Sequence, residues 1–348
     1  MSSISPAFNI DGHALGKSLA AARAKLLATL PLIEKVDDYA NTKLGGKWAK
    51  LRTPTLDNIA QTTNETQVDL ATAIKDFLMF NQEANNPDFT NDIIAEVGKK
   101  AQTLEDGAAK ANQTAAVREL SDAVHQIGVD FAKSVAEKDK EIDSELQQAT
   151  AAVGSAEEEF KAVLAKLVDT SKVDPGAKIE EFMRMGKELL TKIGEIGGKG
   201  TKNSKAAAAL AAVSSVGTPK DPSPATDLKE VERQLTAAKA NLQSARDAKA
   251  RADAADAVRS AADTPATRAA IKQTEDLLET VHKEEGKLAE AWNAMANELS
   301  GYLKDFTNNQ KENTPATQRA LTAHIHKVTS SEAALKDLAA SLEDAAHN

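Results

Sequence analysis

Two short runs carry the residue types that hold phosphate: Gly16-Lys17-Ser18 and Gly198-Lys199-Gly200-Thr201. A phosphate loop needs G-x-x-x-x-G-K-[ST] between a strand and a helix, so that backbone N–H groups converge on the anion. Neither run has that spacing, and both read as flexible glycine beside solvated lysine. His324-x-His326 is the close histidine pair. On a helix, residues two apart point to different faces, whereas ligation within one helix uses a spacing of three or four. The pair therefore reads as two surface histidines. His125 lies beside an apolar stripe and reads as a packing residue, not a base. Glu157-Glu158-Glu159 and Glu180-Glu181 are carboxylate runs of a solvated helix face. No Glu-x-x-His is expected on the helices, so the usual signature of a di-iron bundle is expected to be absent. No nucleophile, base and acid are set to converge on a cavity. The chain is thus expected to be no enzyme and to need no metal, cofactor or small-molecule substrate.

The elements that would carry these side chains are helices. Aromatics make up only 3% of the 348 residues, cysteine is absent and alanine fills every long segment. Thick cores use aromatic bulk, whereas alanine favours helix and lets helices approach closely. The net charge of −9 gives no basic footprint for nucleic acid, and no run of about 20 apolar residues marks a transmembrane helix. The opening residues lack the basic and apolar regions of a secretory signal.

The longest stripe runs through Val117, Leu120, Val124, Ile127, Phe131, Val135, Ile142, Leu146, Val153, Phe160, Leu164 and Leu167. Steps of mostly three, four or seven predict one long helix. About 50 residues would span roughly 75 Å, so the molecule is expected to be elongated. A single helix, bent if at all, is expected over about 89–169. An earlier helix begins near His13, with Pro31 expected to kink or end it. Leu44-Gly45-Gly46 reads as a break, Thr55 as the N-cap of a helix reaching Glu83, and Gly107 as punctuation before the central stripe. Ser223-Pro224, Thr264-Pro265 and Thr314-Pro315 read as helix starts, cap then proline. They predict helices over about 225–262, 265–310 and 315–346. The fold class is all-α: an elongated bundle of about five long antiparallel helices with a small helical or loop head at one end. The expected divisions are a flexible tail over 1–12, bundle over 13–169, head over 170–224, and bundle again over 225–348.

The head is the change of texture. Ile179, Phe182, Met183, Leu189, Leu190, Ile193 and Ile196 make a short apolar arm. Gly194, Gly197, Gly198 and Gly200 follow as a hinge among lysines. Ala206, Leu210, Val213 and Val216 belong to an eleven-residue uncharged arm closed by Gly217. One reading is a cap packed across the bundle end. The other is a conditional membrane segment whose turn lysines meet anionic headgroups. The uncharged arm is too short to span a bilayer and suits an interfacial or lumen-lining role.

This layout of long helices, a central rod, a glycine-rich apolar head and a returning rod resembles the α-helical pore-forming toxins of the cytolysin A and haemolysin BL type. The resemblance implies a soluble precursor whose head rearranges on a lipid membrane. Its partners would be copies of itself or related toxin components, and it would be secreted without a recognisable signal peptide. Lys187, Lys192, Lys199, Lys202 and Lys205 dilute the head, which points to an amphipathic component beside more apolar partners rather than an autonomous lysin. The alternative is a coiled-coil scaffold or adaptor, cytoplasmic and without membrane insertion. A membrane-curving bundle is a third reading, kept open by the Arg/Lys-rich 229–251 stretch.

Overall fold

The computed structural model describes residues 6–8, 10–83, 91–171 and 228–347. Among them stand nine α-helices and no strand: α1 (Gly12–Ala40), α2 (Leu44–Lys50), α3 (Asp57–Glu83), α4 (Asn91–Ala111), α5 (Thr114–Ser171), α6 (Leu228–Ala261), α7 (Thr264–Glu312), α8 (Pro315–Thr329) and α9 (Glu332–His347). The expected all-α class holds, and five of these helices, α1, α3, α5, α6 and α7, have 27 residues or more. They divide between two compact units, Met1–Lys138 with Ala261–Asn348, and Asp139–Ser260. The central helix is continuous from Thr114 to Ser171 and contributes to both.

Unit 1 is built on α7. Its buried Ile271, Leu278, Val281, Leu288, Trp292, Met295, Leu299 and Phe306 recur at helical spacing, as a stripe meeting several partners must. α1 and α4 pack along α7, α9 packs on α3 and α1, and the short turn Pro6–Phe8 lies against α7. Val117, Leu120, Val124, Ile127, Phe131 and Val135 of α5 are buried as the stripe predicted. Both tryptophans are buried with their indole N–H satisfied. Trp48 Nε1 donates to the Leu26 carbonyl at 2.8 Å, and Trp292 Nε1 to that of Leu104 at 2.7 Å.

Several expected boundaries are corrected, some by a side chain that satisfies the backbone and some by backbone geometry alone. α1 continues through Pro31 to Ala40 and stops at Asn41, whose φ of 52° is left-handed; asparagine tolerates that region. Leu44-Gly45-Gly46 is no break but the first turn of α2. Asp37 caps it, accepting from the Leu44 and Gly45 N–H groups at 2.9 and 2.7 Å. Thr55 is not the cap of α3. The residue out of helical geometry is Thr53, at φ −122° and ψ 121°, the extended shape a residue before proline prefers. The single helix over 89–169 is two, because Asn112 ends α4 and its Oδ1 accepts from the Thr114 N–H at 3.2 Å. The helix over 315–346 is also two, divided at Ser330 and Ser331; the Ser330 hydroxyl donates to the Lys327 carbonyl at 2.8 Å. Thr314 caps α8 with Pro315 at its first turn, as expected. On α7 the cap is Asp263, one residue before the expected Thr264.

Gly107 lies inside α4 and punctuates nothing. A Cβ there would sit 2.9 Å from Trp292 Cζ2, so the missing side chain is what lets the indole lie against α4. Gly12 does the same for α9: a Cβ would stand 2.8 Å from the Ser341 carbonyl oxygen.

Candidate functional site

The expected head residues, Ile179, Phe182, Met183, Leu189, Leu190, Ile193, Ile196, Ala206, Leu210, Val213 and Val216, and the hinge glycines Gly194, Gly197, Gly198, Gly200 and Gly217, lie outside the described residues. They belong to unit 2. Its two described helices, α5 and α6, are tied by Arg259 to Asp143 at 2.6 Å, Arg246 to Glu157 at 3.9 Å and Asn241 to Glu159 at 3.4 Å. The pairings run in opposite directions along the two chains, so α5 and α6 are antiparallel here. Ser171 and Leu228, the borders of the 172–227 segment, therefore belong to the same end of this helix pair.

Small side chains make the seam. Ile142, Ala149, Ala156 and Val163 are buried at heptad steps on α5, and Ala238, Ala245 and Ala252 on α6. The ion-pair register sets Ala149 opposite Ala252, Ala156 opposite Ala245 and Val163 opposite Ala238. A seven-residue apolar repeat is the coiled-coil pattern, and alanine on both sides brings the backbones close. Around Ala156 and Ala245 the bulky members are Phe160 and Leu242, both 1% exposed, and Leu235 and Val153 pack against this cluster. The outer faces carry charge, as at Lys249–Asp253.

In unit 1 the polar side chains serve packing. His324 is not a surface histidine: only 13% of its side chain is exposed, while its neighbour His326 is exposed as expected. Its Nδ1 lies 3.1 Å from Asp305 Oδ2, its Nε2 lies 3.4 Å from Glu298 Oε2, and its ring stands edge-on to Tyr302 at 5.3 Å. Tyr302 in turn meets Phe77 of α3 edge-on at 5.6 Å. Lys327 pairs with the other oxygen of Glu298. Burial opposes charge on His324, but its contacts with Glu298 and Asp305 outweigh it and hold the imidazole pKa above the usual value. A raised pKa means the charged ring stabilises the docking of α8 on α7 fully below about pH 6.5, and that this contribution fades as pH rises through the folded-state value. His324→Gln is expected to cost roughly 2 kcal/mol at pH 6, as loss of hydrogen bonds to charged groups does. It should also make the decline in stability from pH 6 to 8 shallower. Urea titrations at both pH values read this, and an unchanged slope refutes it.

His125 is also corrected. Its side chain is 70% exposed and pairs with Glu275 at 3.2 Å, so it is a surface residue rather than a packing one. The expected absence of Glu-x-x-His is corrected too: Glu279 and His282 have that spacing on α7, but His282 Nδ1 turns to the Thr114 carbonyl oxygen at 3.2 Å. No group of three metal-ligating side chains gathers among the described residues. Gly16-Lys17-Ser18 is helical, with the Ser18 hydroxyl donating to the Ala14 carbonyl at 2.8 Å. Among the described residues no helix is long and apolar enough to cross a membrane.

This architecture has a counterpart among solved structures. The chain matches the SmhB pore of the tripartite α-pore-forming toxin Smh from Serratia marcescens, with a TM-score of 0.52 and 10% identity, over 94% of this chain and 98% of that one. YaxA from Yersinia enterocolitica aligns at TM-score 0.46 and 11% identity, over 97% of this chain and 96% of that one. The AhlB pore of the tripartite toxin AHL from Aeromonas hydrophila aligns at 0.39 and 9%, over 96% of each. No protein-family model and no curated protein sequence matches. At such identity the SmhB likeness is one of fold, and at that level the resemblance read from the layout is borne out.

Proposed function

We propose that the chain is a component of an α-helical pore-forming toxin. Residues 170–224 are its head, 13–169 and 225–348 the bundle that carries it, and 1–12 a tail. In this reading the protein is secreted in soluble form, binds a lipid membrane and assembles with itself or with related components. Ile179, Phe182, Met183, Leu189, Leu190, Ile193 and Ile196 form the lipid-facing arm. Ala206, Leu210, Val213 and Val216 line the lumen, and Gly194, Gly197, Gly198, Gly200 and Gly217 supply the hinge. The single observation that carries the reading is the antiparallel α5–α6 coil, which opens at one end onto the whole 172–227 segment, within a fold like that of the SmhB pore subunit. The texture of the segment supports it, because an amphipathic arm beside an uncharged one is what a membrane interface or a lumen selects.

Dye release from liposomes tests this, using the chain alone and together with proteins encoded beside it. Release is expected only in combination. It is expected to be lost in Leu189→Asp/Leu190→Asp, since two carboxylates on an apolar arm oppose membrane burial. Absence of lipid association and of release in every combination refutes the proposal. Full binding of partner proteins after deletion of 176–217, without any membrane effect, supports the scaffold instead.

A further inference from the structure

Glu285 is a fully buried carboxyl side chain among the described residues of unit 1. It stands on α7 at 0% exposure, between the Val281 and Leu288 turns of the core stripe. Its Oε1 accepts from the Thr63 hydroxyl of α3, and its Oε2 is buried with no hydrogen-bond partner among the described residues. Among the described residues no charged side chain acts on it. From α3, Glu65 pairs at the surface with Lys110 of α4 at 2.8 Å. On α7 itself, Glu284 pairs with Lys287 at 2.8 Å and His282 is turned to the Thr114 carbonyl of α5. One turn along α3 from Thr63, Gln67 Nε2 donates to the Gly12 carbonyl at the start of α1 at 3.0 Å, with His13 next in the chain. A carboxylate so placed must lose its hydration without a cation in return. A neutral carboxyl loses far less, and it can donate to the Thr63 hydroxyl.

We propose that Glu285 is a proton-operated latch: protonated, it locks α3 onto α7, and its ionisation loosens that contact. The inference concerns the packing of unit 1 and stands apart from the membrane reading. Burial raises the carboxyl pKa from 4.5 to about 7, with Thr63 acting the other way. The native state then holds a proton that the unfolded chain has released, so stability is highest in acid and falls as pH rises from about 4.5 to 7. By linkage, the unfolding equilibrium constant grows on the order of a hundredfold from pH 5 to 8 through this group alone. His324 titrates with the same sign, so the variant isolates the latch.

The test uses the full chain at pH 5 and pH 8, by urea unfolding and by amide exchange across Asp57–Glu83 of α3. Glu285→Gln, which mimics the neutral form, should match the parent at pH 5. At pH 8 it should unfold with an equilibrium constant on the order of a hundredfold smaller, with slowed exchange in α3. Thr63→Val keeps the carboxyl but removes its donor, and should extend the loss of stability to higher pH while its onset near 4.5 stays the same. Should Glu285→Gln fail to fold, a carbon-13 titration of the Glu285 carboxyl in the parent decides: a midpoint above pH 6 supports the latch. A midpoint near the ordinary glutamate value, or equal pH dependence in parent and variant, overturns it.

Discussion

Replacing Trp292 by alanine is expected to destabilise unit 1 by about 4 kcal/mol, the cost of emptying an aromatic site in a core. The indole is 5% exposed, fills the α4–α7 contact and bonds the Leu104 carbonyl. Its removal takes away both the packing and the donor. The sharper test is the second position. Alanine is ordinarily about 1 kcal/mol better than glycine inside a helix, so Gly107→Ala would stabilise an isolated α4. In the parent it should instead cost about 1–3 kcal/mol, the usual range for overpacking, because the new Cβ would stand 2.9 Å from the rigid indole. In Trp292→Ala the same change should turn stabilising, at about 1 kcal/mol. A double-mutant cycle by urea unfolding measures the reversal. Additive effects would show that the indole moves aside freely, and that Gly107 is there for some other reason.

What was legible in the sequence follows the size of the side chains. Val117 to Val135 on α5 are large apolar residues at helical steps, and they are buried where the steps put them. The coil of unit 2 was half hidden. Ile142 and Phe160 stood out, but Ala149, Ala156, Ala238, Ala245 and Ala252 hold seam positions with a residue equally at home on a surface. In a chain this rich in alanine, only the partner helix distinguishes a seam alanine from a solvated one. Boundaries failed where a polar side chain replaced the usual glycine or proline signal: Asp37 caps α2 from seven residues back, and Asn112 interrupts what looked like one helix. His324 and Glu285 were illegible for a related reason. Each is surrounded on its own helix by ordinary charged residues, and burial comes from α7 meeting α8 in one case and α3 in the other. The residues of the expected head lie outside the described structure, so their proposed role rests on their apolar spacing and on the helices at their two borders.

Those borders give the second large effect. Phe160→Ala is expected to weaken the α5–α6 coil by about 3–5 kcal/mol. The seam around it is made of Ala156, Val163, Ala238, Leu242 and Ala245. Each buried alanine contributes little apolar area, whereas a phenylalanine contributes about 1.5–3 kcal/mol by transfer alone. In this stretch of the seam the hydrophobic stabilisation is therefore concentrated at Phe160 and Leu242. The charged pairs cannot replace it, because exposed ion pairs are worth at most about 1 kcal/mol each. Amide exchange read by mass spectrometry should show the loss where α5 and α6 flank the 172–227 segment, with rates rising about a hundredfold or more for a loss of this size. Protection in α7, whose core lies in the other unit, should stay as in the parent. If the 172–227 segment works as the proposed head, the coil must hold its two ends together, so Phe160→Ala should also reduce dye release at temperatures where α7 remains protected. Protection unchanged in α6 would mean that the alanine seam holds by close backbone packing alone, and the weight given to Phe160 would have to move to the main-chain contacts.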